Sequence, residues 1–307
     1  GVSFGSSSGT PDAVADFAQM KLNNSTRGLT ATSYIKMMAH TAPVNIGVFF
    51  GLKGRVITTS SACTSGSQGI GYAYETIKYG RQEMMVAGGC EELCATEAAV
   101  FDTLFATSTK NDTPDQTPSP FDKNRDGLVI GEGAGALVLE SLESAQTRGA
   151  NILAEIVGFG SNSDGTHVTQ PNANTMQKAM ELALEDANIS PDKVGYVSAH
   201  GTSTDRGDVA ETTATFNVFG KNVAISSMKS FTGHTLGACG ALEAQASINM
   251  MKEGWFHATA NLNEIDPECG DLDYIQDEIR KLHTDYVMSN NFAFGGINTS
   301  LIFKRWS

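Results

Sequence analysis

The sequence predicts an α/β protein whose strands are buried on both faces, and three observations predict it. Short apolar, β-branched runs alternate with segments of helical period. Of the 307 residues 40% are apolar and only 18% charged, enough to bury a large core as one domain or as two closely packed halves. The 32 glycines gather at turns such as Gly131-Glu132-Gly133-Ala134-Gly135, Gly233-His234-Thr235-Leu236-Gly237 and Phe294-Gly295-Gly296, where a backbone turns sharply or approaches a ligand.

Taken in order, strands are expected at 1–5, 55–60, 84–88, 128–139, 152–159, 194–199, 223–226 and 299–304. Helices are expected at 64–79, 176–188, 209–218 and 237–253, with Asn188 and Gly254 as C-terminal stops. No low-complexity linker, charge block or short repeat divides the chain, so one compact unit is the default.

The balance of 34 acidic against 21 basic residues gives a net charge of -13, which disfavours a nucleic-acid partner. The chain has no apolar run of the length that membrane insertion needs. Its five scattered cysteines suit free thiols in a reducing compartment better than a disulfide framework. The expectation is a soluble, cytoplasmic protein.

The chemistry-bearing positions follow from context. Cys63 lies in Thr59-Ser60-Ser61-Ala62-Cys63-Thr64-Ser65-Gly66, where a strand runs into small residues and then a long helix. A thiol at a helix start is expected to have a lowered pKa. His200, in Ser198-Ala199-His200-Gly201-Thr202-Ser203-Thr204, and His234, in Lys229-Ser230-Phe231-Thr232-Gly233-His234, each follow an expected strand beside glycine and hydroxyl residues. That setting suits a cleft better than a packed interior. Lys229 and Glu211 read as a buried pair fixing both imidazoles, since an apolar strand leads straight to Lys229.

Several patterns compete and are set aside. Gly5-Ser6-Ser7-Ser8-Gly9 matches a hydrolase nucleophile turn centred on Ser7, but serines between glycines arise easily in turns. Asp122 to Gly127 resembles the start of a calcium loop, yet its twelfth position is Gly133 rather than an acid. Cys90 and Cys94 have no second ligand pair at zinc spacing, and Gly131 to Gly135 lacks the Lys-Ser/Thr of a phosphate loop, so no metal is expected.

With Pro120 to Gly135 and the closing Asn290-Asn291-Phe292-Ala293-Phe294-Gly295-Gly296-Ile297-Asn298, these motifs resemble the β-ketoacyl-acyl carrier protein synthases of elongating type, with a Cys-His-His triad. The resemblance implies a thiolase-like fold: two related βαβαβ halves, about 1–150 and 151–307, with buried mixed sheets in α-β-α-β-α layers. It implies decarboxylative condensation of an acyl thioester with malonyl-acyl carrier protein, in fatty acid or polyketide elongation, with Cys63 as acyl carrier and His200 and His234 as donors to the thioester oxygen. It further implies an oxyanion hole from the backbones of Cys63 and Phe292, gating by Phe292, and pantetheine contacts from Thr202 and Thr204. Arg27 and Lys110 fall where relatives dock their carrier.

No cofactor is implied beyond the carrier's phosphopantetheine. The partners implied are acyl carrier protein and a second subunit, identical or related. Relatives carry a further segment before the stretch resembling Gly1, so an N-terminal strand and part of the docking surface are expected to be missing from this sequence. Three readings compete: a non-catalytic chain-length subunit, which would ordinarily lack Cys63, a serine hydrolase using Ser7, and a thiolase acting on coenzyme A esters.

Overall fold

The computed structural model describes residues 1–306. The chain opens with strand β1 (Val2–Gly5) and helices α1 (Asp12–Asn23), α2 (Ala31–Met37) and α3 (Thr41–Phe50). It runs on through β2 (Val56–Thr59), α4 (Ser65–Lys78), β3 (Met84–Glu91), α5 (Ala95–Thr103), β4 (Gly133–Glu140) and α6 (Leu142–Thr147). Next come β5 (Ala154–Ser163), α7 (Ala173–Ala187), β6 (Val194–Ser198), α8 (Asp205–Phe219), β7 (Ala224–Ser226), α9 (Lys229–Thr232) and α10 (Cys239–Glu253). The chain closes with β8 (Trp255–Phe256), β9 (Asp273–Tyr274), β10 (Arg280–Lys281), β11 (Tyr286–Ala293) and β12 (Ile297–Arg305).

Two mixed sheets result, of order β2-β1-β3-β4 and β5-β12-β11-β6-β7-β9. In the first, β2, β1 and β3 run parallel and β4 returns antiparallel. In the second, β9, β7, β6 and β11 are parallel and β12 returns antiparallel. The two sheets therefore repeat one motif, to which the second adds β5 beside β12 and β9 beside β7.

Helices α4 and α10 pack on each other between the sheets, α7 and α8 cover the outside of the second, and α3 covers β1 and β2. The layers are those expected of a thiolase-like fold. Buried residues of α4 and α10, among them Ile70, Ala241, Ala244 and Ile248, share one core with Met85 of β3 and Leu301 of β12. Strands covered on both faces must be apolar on both faces, which is why those of the second sheet read as apolar runs, whereas β2 and β4 leave one face exposed at Val56 and Val138. No helix among the described residues is long and apolar enough to cross a membrane.

Several elements depart from expectation. The strand expected from residue 128 begins at Gly133, and Leu128 and Ile130 make only single bridges, to Thr107 and His234. Strand β11 was not foreseen, because Ser289, Asn290 and Asn291 interrupt its apolar pattern; all three are buried. Helices α1, α2, α3, α5, α6 and α9 and the short strands β8, β9 and β10 also lie outside the expected elements. In α3 the sequence Thr-Ala-Pro-Val-Asn-Ile-Gly-Val-Phe-Phe has no helical apolar period and leaves Val48, Phe49 and Phe50 exposed. The expected stops hold, since Asn188 and Gly254 both end their helices in the left-handed conformation.

The sheets and central helices meet through glycine. A Cβ on Gly89 of β3 would lie 2.2 Å from the Gly237 carbonyl and 2.8 Å from the Gly66 Cα. That contact holds the start of α4 against the turn before α10. Gly89→Ala is expected to lower stability by about 1–3 kcal/mol through overpacking. Gly47→Ala, at a buried position of α3 where nothing stands nearer than 3.9 Å to an added Cβ, should gain roughly 0.5–1 kcal/mol. Denaturant midpoints of the two variants test the pair; equal shifts would refute the packing argument.

Candidate active site

Cys63 sits where β2 turns into α4, on one turn of 3-10 helix (Ala62–Thr64). Ala62 adopts a left-handed φ of 50°, a conformation that costs an L-residue roughly 1–2 kcal/mol. Side-chain hydroxyls hold it there. Thr64 Oγ1 donates to the Ser61 carbonyl at 2.8 Å, Ser65 Oγ to the Ala62 carbonyl at 2.7 Å, and Thr59 Oγ1 to the Ser65 carbonyl at 2.7 Å. The run of small hydroxyl residues is thus the brace of a strained turn.

His200 lies just past β6, its backbone gripped by Glu211 of α8. The His200 and Gly201 amides each donate to one carboxylate oxygen of Glu211 at 2.7 Å. His234 lies beyond α9, where its amide donates to the Val129 carbonyl at 2.7 Å and its carbonyl accepts from Gly131 at 3.0 Å. Gly233, with φ of 67°, permits this approach, because a Cβ there would stand 2.8 Å from the Val129 oxygen.

The fold brings the three side chains together. His234 Nε2 is 2.9 Å from Cys63 Sγ, the imidazoles meet edge to face at 5.2 Å between centroids, and the three donor atoms lie within 4.8 Å of one another. Among the described residues this is the one Cys, His, Asp and Glu group compact enough to hold a metal ion, but the Lys229 ammonium, 3.2 Å from His200 Nδ1, sets positive charge against it.

That contact fixes a tautomer. An ammonium has only protons to offer, so Nδ1 of a neutral His200 must be the acceptor and Nε2 carries the hydrogen toward Cys63. Burial, reinforced by Lys229 and His234, holds the His200 pKa well below its ordinary value; burial and Lys229 do the same to His234. Both rings are neutral at pH 7.

Three expectations are corrected. The buried partner of Lys229 is Glu243 of α10, not Glu211: its Oε1 is bonded directly to Lys229 Nζ, and its Oε2 accepts from Asn291 Nδ2 at 2.6 Å. Glu211 is committed to backbone amides instead, and burial pushes its carboxyl up to about 8 against their pull. Burial alone would lower Lys229, but the directly bonded Glu243 carboxylate opposes it and its pKa is held above the ordinary value.

Second, the Cys63 pKa is raised, to about 12, because burial outweighs the favourable Lys229 charge and backbone amides. A proton must therefore be taken from the thiol, and His234 Nε2 is the base in reach.

Third, the amides that act on the sulfur are those of Cys63 and Phe294, not Phe292. Phe292 lies within β11 opposite Asn298, its ring 6.2 Å from that of His200. Phe294 stands past the strand end, before Gly295 and Gly296 with φ of 85° and 68°, and its ring stacks on Phe101 at 5.2 Å. Only a residue beyond the ladder has its N–H free for the site.

A cavity of about 350 Å³ opens over Cys63, lined among others by both histidines, Thr202, Thr204, Phe101 and Phe294. The two threonine hydroxyls are 3.0 Å apart on its wall. Arg27 is exposed far along the chain in the α1–α2 connection, and Lys110 Nζ donates to the Asn124 carbonyl at 2.9 Å; neither lines the cavity. The serine turn at Ser7 has a structural task, its amide donating to Glu91 at 2.8 Å. Asp122 of the calcium-like segment accepts the amides of Asn124, Asn263 and Glu264.

Sequence reasoning missed Glu243, Phe294 and Cys239, whose Sγ donates to the Cys63 carbonyl at 3.2 Å. A signal for Glu243 existed. It is an acid four residues from Cys239 and four from Ser247, on the buried face of a helix already expected.

The chain matches two family models, the N-terminal domain of beta-ketoacyl synthase over residues 1–145 and its C-terminal domain over 153–263. It is 45% identical over 269 residues to the 3-oxoacyl-[acyl-carrier-protein] synthase 2 of Vibrio harveyi, a match covering 85% of this chain and 64% of that protein. It is 60% identical to a beta-ketoacyl synthase from Burkholderia phymatum STM815, with a TM-score of 0.99 over all of this chain and 75% of that one. It is 31% identical to a ketosynthase solved with its type II polyketide acyl-carrier protein and bound hexaketide, with a TM-score of 0.93 over 100% of this chain and 78% of that one.

The Lys229–Glu243 pair, both residues 1% exposed, gives the site its sharpest stability test. Glu243→Ala leaves a buried cation without its counter-charge and is expected to cost about 3–5 kcal/mol. Glu243→Gln, which keeps an acceptor, should cost less. Denaturant melts measure both; a neutral Glu243→Ala would show that Lys229 is not held by this pair.

Proposed function

The chain belongs to the beta-ketoacyl synthase family, and from that premise we propose that it joins acyl units by decarboxylative condensation, giving a 3-oxoacyl thioester on acyl carrier protein. The observation that carries this reading is the 2.9 Å contact between Cys63 Sγ and His234 Nε2 beside a His200 whose Nδ1 is engaged by Lys229. The proposed division of the chain at residues 150 and 151 follows the two sheets.

In the first half-reaction His234 Nε2 accepts the thiol proton and Cys63 attacks the acyl thioester. The tetrahedral oxyanion is met by the amides of Cys63 and Phe294, each such donor being worth about 3–4 kcal/mol in the transition state. Collapse expels the carrier thiolate, which takes the proton back from His234. The acyl group is left on Cys63.

Malonyl-carrier then binds with its thioester oxygen toward His200 Nε2–H, while His234, its hydrogen on Nδ1, keeps Nε2 as the acceptor beside Cys63. The malonyl carboxylate leaves as carbon dioxide, and the electrons of the broken bond form an enolate stabilised by that donor. The enolate carbon attacks the acyl thioester, and the Cys63 thiolate departs and takes one proton from solvent, the proton that the loss of carbon dioxide consumes. A neutral His200 suits this work, since it presents an N–H without adding an unpaired buried charge.

Thr202 and Thr204 are the proposed contacts for the pantetheine amides; both Phe292 and Phe294 line the cavity, and Phe294, stacked on Phe101 beyond the end of β11, is the proposed gate. No cofactor of its own is assigned to the chain. Cytoplasmic residence is proposed from its five free cysteines. The partners proposed are acyl carrier protein and a second subunit, identical or related, paired along the open edge of β2. Beside that edge Val48, Phe49 and Phe50 are 76%, 81% and 64% exposed. Light scattering should find a dimer that Phe49→Glu weakens; a wild-type monomer at micromolar concentration would refute it.

The chemistry is tested by separating its halves. Cys63→Ala is expected to form no acyl-enzyme by intact mass, whereas His200→Ala should still be acylated but lose malonyl decarboxylation by roughly 100-fold or more. Acylation of the Cys63→Ala protein at the site would overturn the assignment.

A further inference from the structure

The cavity over Cys63 has one feature that the condensation chemistry does not use. Arg206 is the only lysine or arginine among its lining residues. It is exposed, in the first turn of α8, and enters none of the ion pairs among the described residues. The same wall runs from His200 through Thr202 and Thr204 to Arg206, so the cation stands further along the chain segment that leaves the reacting atoms.

Three of the four acids that share the cavity accept hydrogen bonds from other groups, although one oxygen each of Asp126 and Asp164 is buried without a partner. Glu211 holds the His200 and Gly201 amides, Asp164 accepts from Asn298 Nδ2 at 2.8 Å, and Asp126 accepts the Thr109 amide at 2.8 Å. Asp205 is exposed next to Arg206. In a chain of net charge -13, this guanidinium is the one exposed cation among the lining residues that an entering anion meets.

Resting on the thioester reading of the site, we propose that Arg206 binds the phosphate of the phosphopantetheine arm while Thr202 and Thr204 hold its amides and Cys63 or the histidines meet its thioester. The arm's only charge is that phosphate, at the end remote from the sulfur, and guanidinium matches it with paired N–H donors. The residue lines the channel itself, so its partner is the arm rather than the folded carrier. Arg206 is a binding residue, remote from bond making, and acts on capture of the thioester.

The test compares acylation of Cys63 by three acyl donors: a pantetheine thioester without phosphate, a phosphopantetheine thioester, and the full acyl carrier. Arg206→Ala should raise KM for the two phosphate-bearing donors by about 3- to 10-fold, leave the pantetheine donor unchanged and spare kcat. Arg206→Lys should recover part of the loss. An equal effect on all three donors would assign Arg206 a structural role, an effect on the carrier alone would place its contact on the carrier surface, and no effect would remove it from binding; each overturns the proposal. Failure of the wild-type chain to accept any donor would instead overturn the condensation reading on which it rests.

Discussion

The site depends on one buried cation. Lys229 is 1% exposed, and its ammonium is shared between the Glu243 carboxylate and His200 Nδ1. An isolated ammonium at that depth would cost several kcal/mol, so the carboxylate is a condition of the lysine being there. Charge balance then spreads outward. Asn291 on β11 satisfies the second oxygen of Glu243, tying α10 to the central strand of the second sheet. Burial holds the pKa of both imidazoles down, and the lysine adds to that and fixes the tautomer of His200. One electrostatic requirement thus supports the neutral state of the histidines and joins three elements.

The nucleophile is governed by steric rather than electrostatic constraint. Ala62 is held at positive φ by the hydroxyls around it, and the turn is pressed against the Leu236–Ala238 turn through Gly66, Gly89 and Gly237. At these contacts a single Cβ would separate the elements that carry Cys63 and His234. The 2.9 Å sulfur to nitrogen contact is therefore a product of backbone packing between the two sheets, and the high pKa of the thiol makes that proximity matter. A thiol that ionised freely would need no base beside it.

The same burial accounts for where sequence reasoning went astray. A cysteine at a helix start invites the expectation of a lowered pKa, but helix-terminus effects are worth about 1 kcal/mol, and full desolvation exceeds that. Glu211 reads from the sequence as the partner of Lys229 because an acid and a base each stand near a histidine; its carboxylate instead closes the amides of His200 and Gly201, a local demand of the strand end. Phe292 and Phe294 are two residues apart, and the choice between them turns on where β11 ends, which its buried Ser289, Asn290 and Asn291 conceal. Helix α3 escaped notice because its exposed Val48, Phe49 and Phe50 and its interior Gly47 carry no helical period.

The sequence by itself determined the α/β class, most of the inner strands and long helices, and, through motifs that resemble the beta-ketoacyl synthases, the candidate set Cys63, His200, His234 and Lys229. The elements are written in apolar runs long enough to be sheet interior, and the candidates in glycine and hydroxyl turns whose order along the chain carries the resemblance. What only the tertiary structure decided is which acid balances Lys229, which amide faces the sulfur, and whether the thiol rests protonated. Each depends on distances between residues far apart in the chain, and on how much water the completed layers exclude, neither of which is a property of any one segment.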